Sequence, residues 1–209
     1  MRRNKLYERR EPTKDGKIYF IFCEGDDREA TYFHFFNKIA SQVNIQIVRI
    51  EDGKNSPIGL YNNAVNRLIG SEANPNPTYS LNEGDEIWFI IDTDKWGDQI
   101  DTLRENVSNH QNWFVGQSNP SFEVWLYYHF ENEKPHNPVE NWKEYLNTTV
   151  KGGFDNRRHP MYIETAITNA ENNYSTTDNI QDNVTTELFI LGQKILPLIK
   201  PDIDLLLNQ

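Results

Sequence analysis

Short apolar runs that end at acidic residues constrain this chain more than any other feature. Two of them, Lys17-Ile-Tyr-Phe-Ile-Phe-Cys-Glu24 and Glu86-Ile-Trp-Phe-Ile-Ile-Asp92, are too short for helices and are apolar throughout. Such runs predict strands that are buried on both faces, as in a parallel sheet. Asn44–Ile50 predicts another strand, ended by Asp52-Gly53, and Trp113–Gly116 predicts a short fourth one.

Helical patterns separate these predicted strands. Asp26 or Asp27 is suited to cap a helix, which would bury Tyr32, Phe33, Phe36 and Ala40. Further helices are predicted to begin at Ser56-Pro57, to span Asp98–Asn109, and to follow Pro120 as a buried run through Phe130; residues 71–84 predict a surface loop. We therefore expect an α/β fold, with about four mainly parallel strands between helices and a helical C-terminal part.

Charge and composition suggest how the chain is organised. Residues 1–16 predict a flexible basic arm, and residues 17–209 a single domain with an α/β core (17–135) and a helical extension (136–209). The single cysteine, Cys23, excludes an intrachain disulfide, and no long apolar stretch or secretory signal is present, so we expect a cytoplasmic protein without a membrane span. The net charge of −10 argues against a large DNA-wrapping surface.

Acidic residues stand where the predicted strands end. Glu24 ends the first strand, Asp92 and Asp94 follow the third, and Glu123 lies in the first turn of the helix after the fourth. Ligands of parallel sheets bind beyond the carboxyl ends of the strands, where these acids would meet. A bound cation would relieve their mutual repulsion, and oxygen ligands favour Mg²⁺ or Mn²⁺ over zinc.

Each acid also has a simpler interpretation. Glu24, Asp92 and Asp94 are typical of turns after strands, and Glu123 could merely complement a helix dipole. The joint occurrence at three strand ends favours the metal site, and Glu123 belongs to a helix that is apolar nearly all round, so its carboxylate is expected to face a cleft.

The same residues carry a family resemblance. Phe-Cys-Glu-Gly-Asp at 22–26 and Ile-Asp-Thr-Asp at 91–94 look like the glutamate and Asp-x-Asp motifs of Toprim catalytic domains. Ser118-Asn-Pro-Ser-Phe-Glu-Val-Trp-Leu126 resembles the Ser-Asn-Pro-x-Phe-Glu-x-Trp-Leu signature of the RloB-like family, and Ser56-Pro57 and the segment 185–188 lie where that family has related motifs. The resemblance covers roughly residues 17–195. Thr93 departs from the family, which more often has Arg between the two aspartates.

The resemblance implies a Toprim-like nuclease of prokaryotic phage-defence or restriction-associated systems, often with an ATPase partner. It implies that Asp92, Asp94, Glu123 and Glu24 bind the metal, and that a later basic residue takes part in catalysis. Lys151 is the best candidate for that residue.

Other residues are predicted to contact the substrate. Arg157 and Arg158 could replace Lys151 or neutralise substrate phosphates, although a solvated loop is the simpler interpretation. Ser118 and Asn119 could orient Glu123 or contact a phosphate, or could only cap the helix.

We therefore expect metal-dependent cleavage of DNA or RNA, in which the metal activates a water molecule or Glu24 acts as the general base. One rival hypothesis is a non-catalytic metal-binding subunit or interaction module of a defence complex, which the acidic charge and small size also fit. A small-molecule phosphatase or phosphotransferase is a third, which the Asp-x-Asp pair permits. The sequence leaves the partner protein and a homo-oligomeric state open.

Overall fold

The computed structural model describes residues 16–25, 27–48, 55–70, 72, 74–93, 96–177 and 180–208. The predicted basic arm lies outside the described residues except for Gly16. Asp26, Asp94 and the predicted strand end at Asp52-Gly53 lie outside them as well.

The centre of the fold is a five-stranded sheet. Its strands lie in the order β2 (Asn44–Ile47), β1 (Ile18–Cys23), β3 (Glu86–Asp92), β4 (Trp113–Asn119) and β7 (Thr185–Thr186). The first four strands are parallel to one another, and β7 is antiparallel to β4. Both faces of the sheet are covered, so alternate residues of β1 and β3 enter two different cores. This explains why both strands are apolar at nearly every position.

Helices form the outer two layers. They are α1 (Arg28–Ile39), α2 (Pro57–Ala64, extended by a π-helical turn Val65–Ile69), α3 (Asp98–Ser108), α4 (Glu123–Tyr127), α5 (Trp142–Thr149), α6 (Ile163–Asn173, preceded by a 3₁₀ turn His159–Tyr162) and α7 (Leu188–Leu207). α2 and α3 cover one face of the sheet, whereas α1 and the helices that follow β4 cover the other. The predicted α/β class is thus confirmed.

The residues predicted to cap the first two helices have different outcomes in the structure. Ser56 caps α2 by accepting a hydrogen bond from the backbone N–H of Gly59 (3.2 Å), and Pro57 follows as predicted. Asp27 occupies the position before α1, but its side chain makes no capping hydrogen bond. The prediction that Asp27 caps α1 is therefore wrong, and the prediction for Asp26 lies outside the described residues.

Two element lengths also differ from the prediction. β4 continues to Asn119 rather than ending at Gly116, because polar Gln117, Ser118 and Asn119 pair with neighbouring strands. The buried segment after Pro120 is helical only from Glu123 to Tyr127. The apolar character of the run correctly indicated burial but not helix length.

The C-terminal part is helical, as predicted, yet it contains short strands that were not. β5 (Thr176–Thr177) and β6 (Ile180–Gln181) form a two-stranded hairpin, and β7 joins the main sheet. Two-residue strands carry no periodic signal, so only tertiary pairing defines them. None of the helices in the described ranges is both long and apolar enough to cross a bilayer.

Candidate functional site

The carboxyl ends of β1 and β3 define the site. The two strands are adjacent and parallel, with Cys23 opposite Ile90, so Glu24 and Asp92 lie at the same edge of the sheet. After β1 the chain enters α1 on one face, and after β3 it enters α3 on the other face. This divergence is the topological switch point at which α/β sheets bind ligands.

Trp96 and Asn55 both donate hydrogen bonds to Glu24 at this edge. The indole N–H of Trp96 donates a hydrogen bond to Glu24 Oε2 at 2.7 Å. The side-chain amide of Asn55 donates to the backbone oxygen of Glu24 at 3.3 Å. The carboxylate is half-buried and fixed in orientation by the loop that follows β3.

Glu123 comes to the same region from α4. Its Oε1 accepts a hydrogen bond from Arg28 Nη1 at 2.6 Å, and its Oε2 accepts one from the hydroxyl of Ser121 at 2.8 Å. Its side chain is 16% exposed. Because Arg28 is the first residue of α1, this ion pair joins the beginnings of α1 and α4.

Glu29 is an acidic residue of this region that the sequence reasoning missed. It is 8% exposed, and its carboxylate lies against Gly25, where a Cβ atom would collide with it. Burial raises the pKa of Glu29, a hydrogen bond from its own backbone N–H lowers it, and the charges of Glu123 and Glu24 raise it further. Three carboxylates from β1, α1 and α4 therefore share one electrostatic environment.

A signal for Glu29 was present in the sequence. Residue 29 is three and four positions before Tyr32 and Phe33, which were predicted to face the core. Residues at these spacings share a helix face, so Glu29 had to be a buried acid. Arg28 carried no comparable signal, since its role depends on where α4 lies.

Asp92 is the last residue of β3, is half-buried, and stands opposite Ser118 of β4. Asp94, its predicted co-ligand, lies outside the described residues. Among the described residues, no group of three or more His, Cys, Asp or Glu side chains has the arrangement of a metal site. The metal-ligand assignment of Glu24, Asp92, Asp94 and Glu123 therefore stays a prediction.

The chemistry of the donor set nevertheless fits a hard divalent cation. All its members offer oxygen atoms, which Mg²⁺ and Mn²⁺ prefer. Burial is the main cause of the raised pKa of Glu29, and the charges of Glu123 and Glu24 raise it further. A cation placed among these carboxylates would relieve that repulsion.

A hydrogen-bond network fixes the turn that follows Asp92. The hydroxyl of Thr93 donates to Ser118 O at 3.0 Å and accepts from Gln117 Nε2 at 2.7 Å. Arg104 Nη2 in turn donates to Gln117 Oε1 and Glu187 Oε2, both at 2.7 Å. Thr93 is thus the end of a chain of contacts that begins at Arg104 of α3 and at Glu187, the residue before α7.

Ser118 and Asn119 serve the sheet rather than the start of α4. The Ser118 hydroxyl is fully buried and shares a hydrogen bond of 2.8 Å with the Thr186 hydroxyl, and Asn119 Nδ2 donates to Gln181 O at 2.9 Å. Phe122 precedes α4, which has no side-chain cap. The helix-capping interpretation is therefore wrong, and Ser121 takes the predicted role of orienting Glu123.

The basic residues are not drawn into contact with the acids. Lys151, Arg157 and Arg158 are all exposed, in the turns between α5 and the 3₁₀ turn. Within the described ranges, none of their side chains forms an ion pair with Glu24 or Glu123. Their predicted catalytic and substrate-binding roles are left as predictions.

Taken together, the fold and site define a three-layer α/β protein with an acidic cluster at the switch point of a parallel sheet. A family model described as RloB-like protein matches residues 19–195. Because that match covers most of the chain, the protein belongs to the RloB-like family. No curated protein and no solved structure is significantly similar to the chain.

Proposed function

We propose that this protein is a divalent-metal-dependent nuclease that cleaves phosphodiester bonds of DNA or RNA in a prokaryotic phage-defence or restriction-associated system. One observation carries the proposal: Glu24 follows β1 at the switch point of the sheet, and Arg28, at the start of α1, pairs with Glu123 of α4 in the same region. Asp92 ends the adjacent strand at the same edge. The likeness of these motifs to Toprim nucleases supports the same class of reaction.

Glu24, Asp92, Glu123 and Asp94 are the proposed ligands of Mg²⁺ or Mn²⁺, and Glu29 is added to them on the structural evidence. When bound, such a cation supplies Lewis-acid stabilisation of the charge that develops on the phosphate oxygens. Glu24 is the proposed general base, since Trp96 already fixes the orientation of its carboxylate at 2.7 Å.

The cationic side chains divide into two proposed roles. Arg28 neutralises Glu123 before the cation binds, because the two groups are 2.6 Å apart. Lys151, Arg157 and Arg158 are exposed and can reach a substrate strand from the surface, where they would neutralise its phosphates. Lys151 remains the proposed catalytic lysine.

A second candidate function is a non-catalytic metal-binding or interaction module of a defence complex. The specific observation in its favour is that Arg28 and Trp96 already occupy the carboxylates of Glu123 and Glu24. Under this hypothesis Mn²⁺ would raise the melting temperature, yet no nucleic acid would be cut, even with a partner ATPase present.

The test is cleavage of plasmid DNA and of tRNA by purified protein with Mg²⁺ or Mn²⁺. We expect cleavage that EDTA abolishes and that Glu123→Gln reduces by a factor of about 100 or more, the usual cost of losing a group that stabilises the transition state. Glu105→Gln, on the exposed face of α3, is the matched control and should cleave like wild type. Equal cleavage by Glu123→Gln and wild type would remove the case for this site.

A further inference from the structure

A pocket with mixed polar and apolar walls adjoins the acidic edge and is not used by the proposed chemistry. It has a volume of about 380 Å³ and lies between α3, β4 and the β5–β6 hairpin. Thr93 lines it and directly follows Asp92, so the pocket opens within one residue of the proposed ligands. Its size suits a ring-shaped ligand rather than a single ion.

Arg104 supplies free hydrogen-bond donors to this pocket. Arg104 contacts Gln117 and Glu187 through Nη2, whereas its Nη1 and Nε make no hydrogen bond to the described residues. The side chain is 38% exposed. A planar guanidinium with a free edge recognises two acceptors side by side.

The residues that line the pocket include acceptors with no partner among the described residues. Gln181 is 7% exposed, and its buried Oε1 makes no hydrogen bond to the part of the chain that the structure describes. The carboxylates of Asp98 and Asp101, at the start of α3, line the pocket and form no ion pair among the described residues. These groups call for a ligand that carries N–H donors.

Charge decides between a phosphate and a neutral ligand. Glu187 matches the charge of Arg104 at 2.7 Å, and Asp98 and Asp101 then leave the pocket negative. A phosphate inside would be repelled. The exposed Ile180, at 73%, and the ring of Tyr174 add apolar surface to the walls, which favours a flat neutral ring.

We infer that this pocket binds a nucleobase of the substrate strand next to the cleaved phosphate, and that guanine is the base it selects. Guanine presents two neighbouring acceptors, O6 and N7, to a guanidinium, and donors at N1 and N2 to acidic or amide oxygens. Uracil lacks the amino donor. The inference rests on the proposed function and names the substrate feature that this site would read.

Binding can be measured without cleavage. Isothermal titration calorimetry of the full chain in EDTA would compare GMP, AMP, CMP, UMP and ribose 5-phosphate. We expect GMP to bind at least about tenfold more tightly than UMP, as one bidentate contact implies. Ribose 5-phosphate should not bind.

Two variants locate the binding. Arg104→Lys keeps the positive charge next to Glu187 but removes the planar guanidinium that can donate two parallel hydrogen bonds. The preference for GMP over UMP should therefore fall below about threefold. Ile180→Ser is exposed and should fold normally while weakening GMP binding. Ile69→Ser, exposed on the π-helical turn, is the matched control and should bind GMP like wild type.

The outcomes separate this inference from the proposed function. Equal binding of all four nucleotides and ribose 5-phosphate, or tighter binding of AMP, CMP or UMP than of GMP, would overturn the guanine pocket. Cleavage without any nucleotide selectivity would overturn the pocket and leave the nuclease intact. Selective GMP binding by a protein that never cleaves would support the pocket and remove the nuclease.

Discussion

The ion pair between Arg28 and Glu123 offsets part of the negative charge of the acidic cluster. Arg28→Met removes the positive charge and keeps most of the aliphatic side chain. Glu123, whose side chain is 16% exposed, would then lie near the charged Glu24 and Glu29, and among the described residues it would keep only Ser121 as a hydrogen-bond partner. We therefore expect the metal-free protein to lose stability.

The size of the loss follows from the burial of the pair. Exposed pairs contribute about 0–1 kcal/mol, and breaking a fully buried pair costs about 3–5 kcal/mol. With side chains 30% and 16% exposed, this pair lies between these limits, so we expect a loss of about 1–2 kcal/mol. For a domain of this size that corresponds to a Tm decrease of about 2–8 °C.

The assay is thermal unfolding in EDTA and in Mn²⁺. Mn²⁺ should stabilise Arg28→Met more than wild type, because the cation no longer competes with the guanidinium. Lys200→Met is the matched control: its ion pair with Glu164 has the same 2.6 Å distance but is exposed, so Tm should hardly change. The double variant Arg28→Met/Glu123→Gln should recover most of the loss.

The reasoning is refuted if Arg28→Met is as harmless as Lys200→Met. It is also refuted if Mn²⁺ raises the Tm of Arg28→Met and of wild type by the same amount. Either result would mean that Arg28 and the cation do not act on the same carboxylates.

Three further perturbations test the surrounding structure. Burial raises the pKa of Glu29 above its value in the unfolded chain, so the wild-type protein should lose stability as the pH rises through the folded-state pKa. Glu29→Gln should not show this loss when Tm is measured against pH in EDTA. Parallel Tm curves for the two proteins would contradict this prediction. Gln117→Leu and Thr93→Val should lower the affinity for Mn²⁺ measured by electron paramagnetic resonance, whereas Thr93→Ser should retain it. Equal affinities of all these variants would show that the hydrogen bonds of Thr93 do not position the turn after Asp92. Gly192→Ala places a Cβ 2.7 Å from a side-chain carbon of α6, so chemical denaturation should show a loss of about 1–3 kcal/mol, and no loss would mean that the helices separate freely.

The central strands were predictable because both faces of the sheet are covered, so that nearly every residue of these strands is apolar. β3 was predicted with the bounds that the structure has, since a strand covered on both faces must be apolar throughout and an acid ends it. The edge of the sheet at which Glu24 and Asp92 both lie followed from parallel strand direction alone. These features depend on local sequence and one general rule.

The rest of the site depends on elements that are distant in sequence. Arg28 meets Glu123 across 95 positions, and Thr186 meets Ser118 across 68. β7 has only two residues, so nothing in its own sequence distinguishes it from a turn. The helix-capping interpretation of Ser118 and Asn119 failed because the short strands that their side chains contact, β7 and β6, could not be foreseen. Their predicted contact with a phosphate stays a prediction.

The most direct test of the shared cation site is a crystal structure of the protein soaked in Mn²⁺, with anomalous scattering to locate the ion. We predict one anomalous peak at the carboxyl ends of β1 and β3, with oxygens of Glu24, Asp92 and Glu123 at about 2.0–2.3 Å from it. Carboxylates that still point to Arg28 and Trp96, with manganese bound elsewhere or nowhere, would contradict the account.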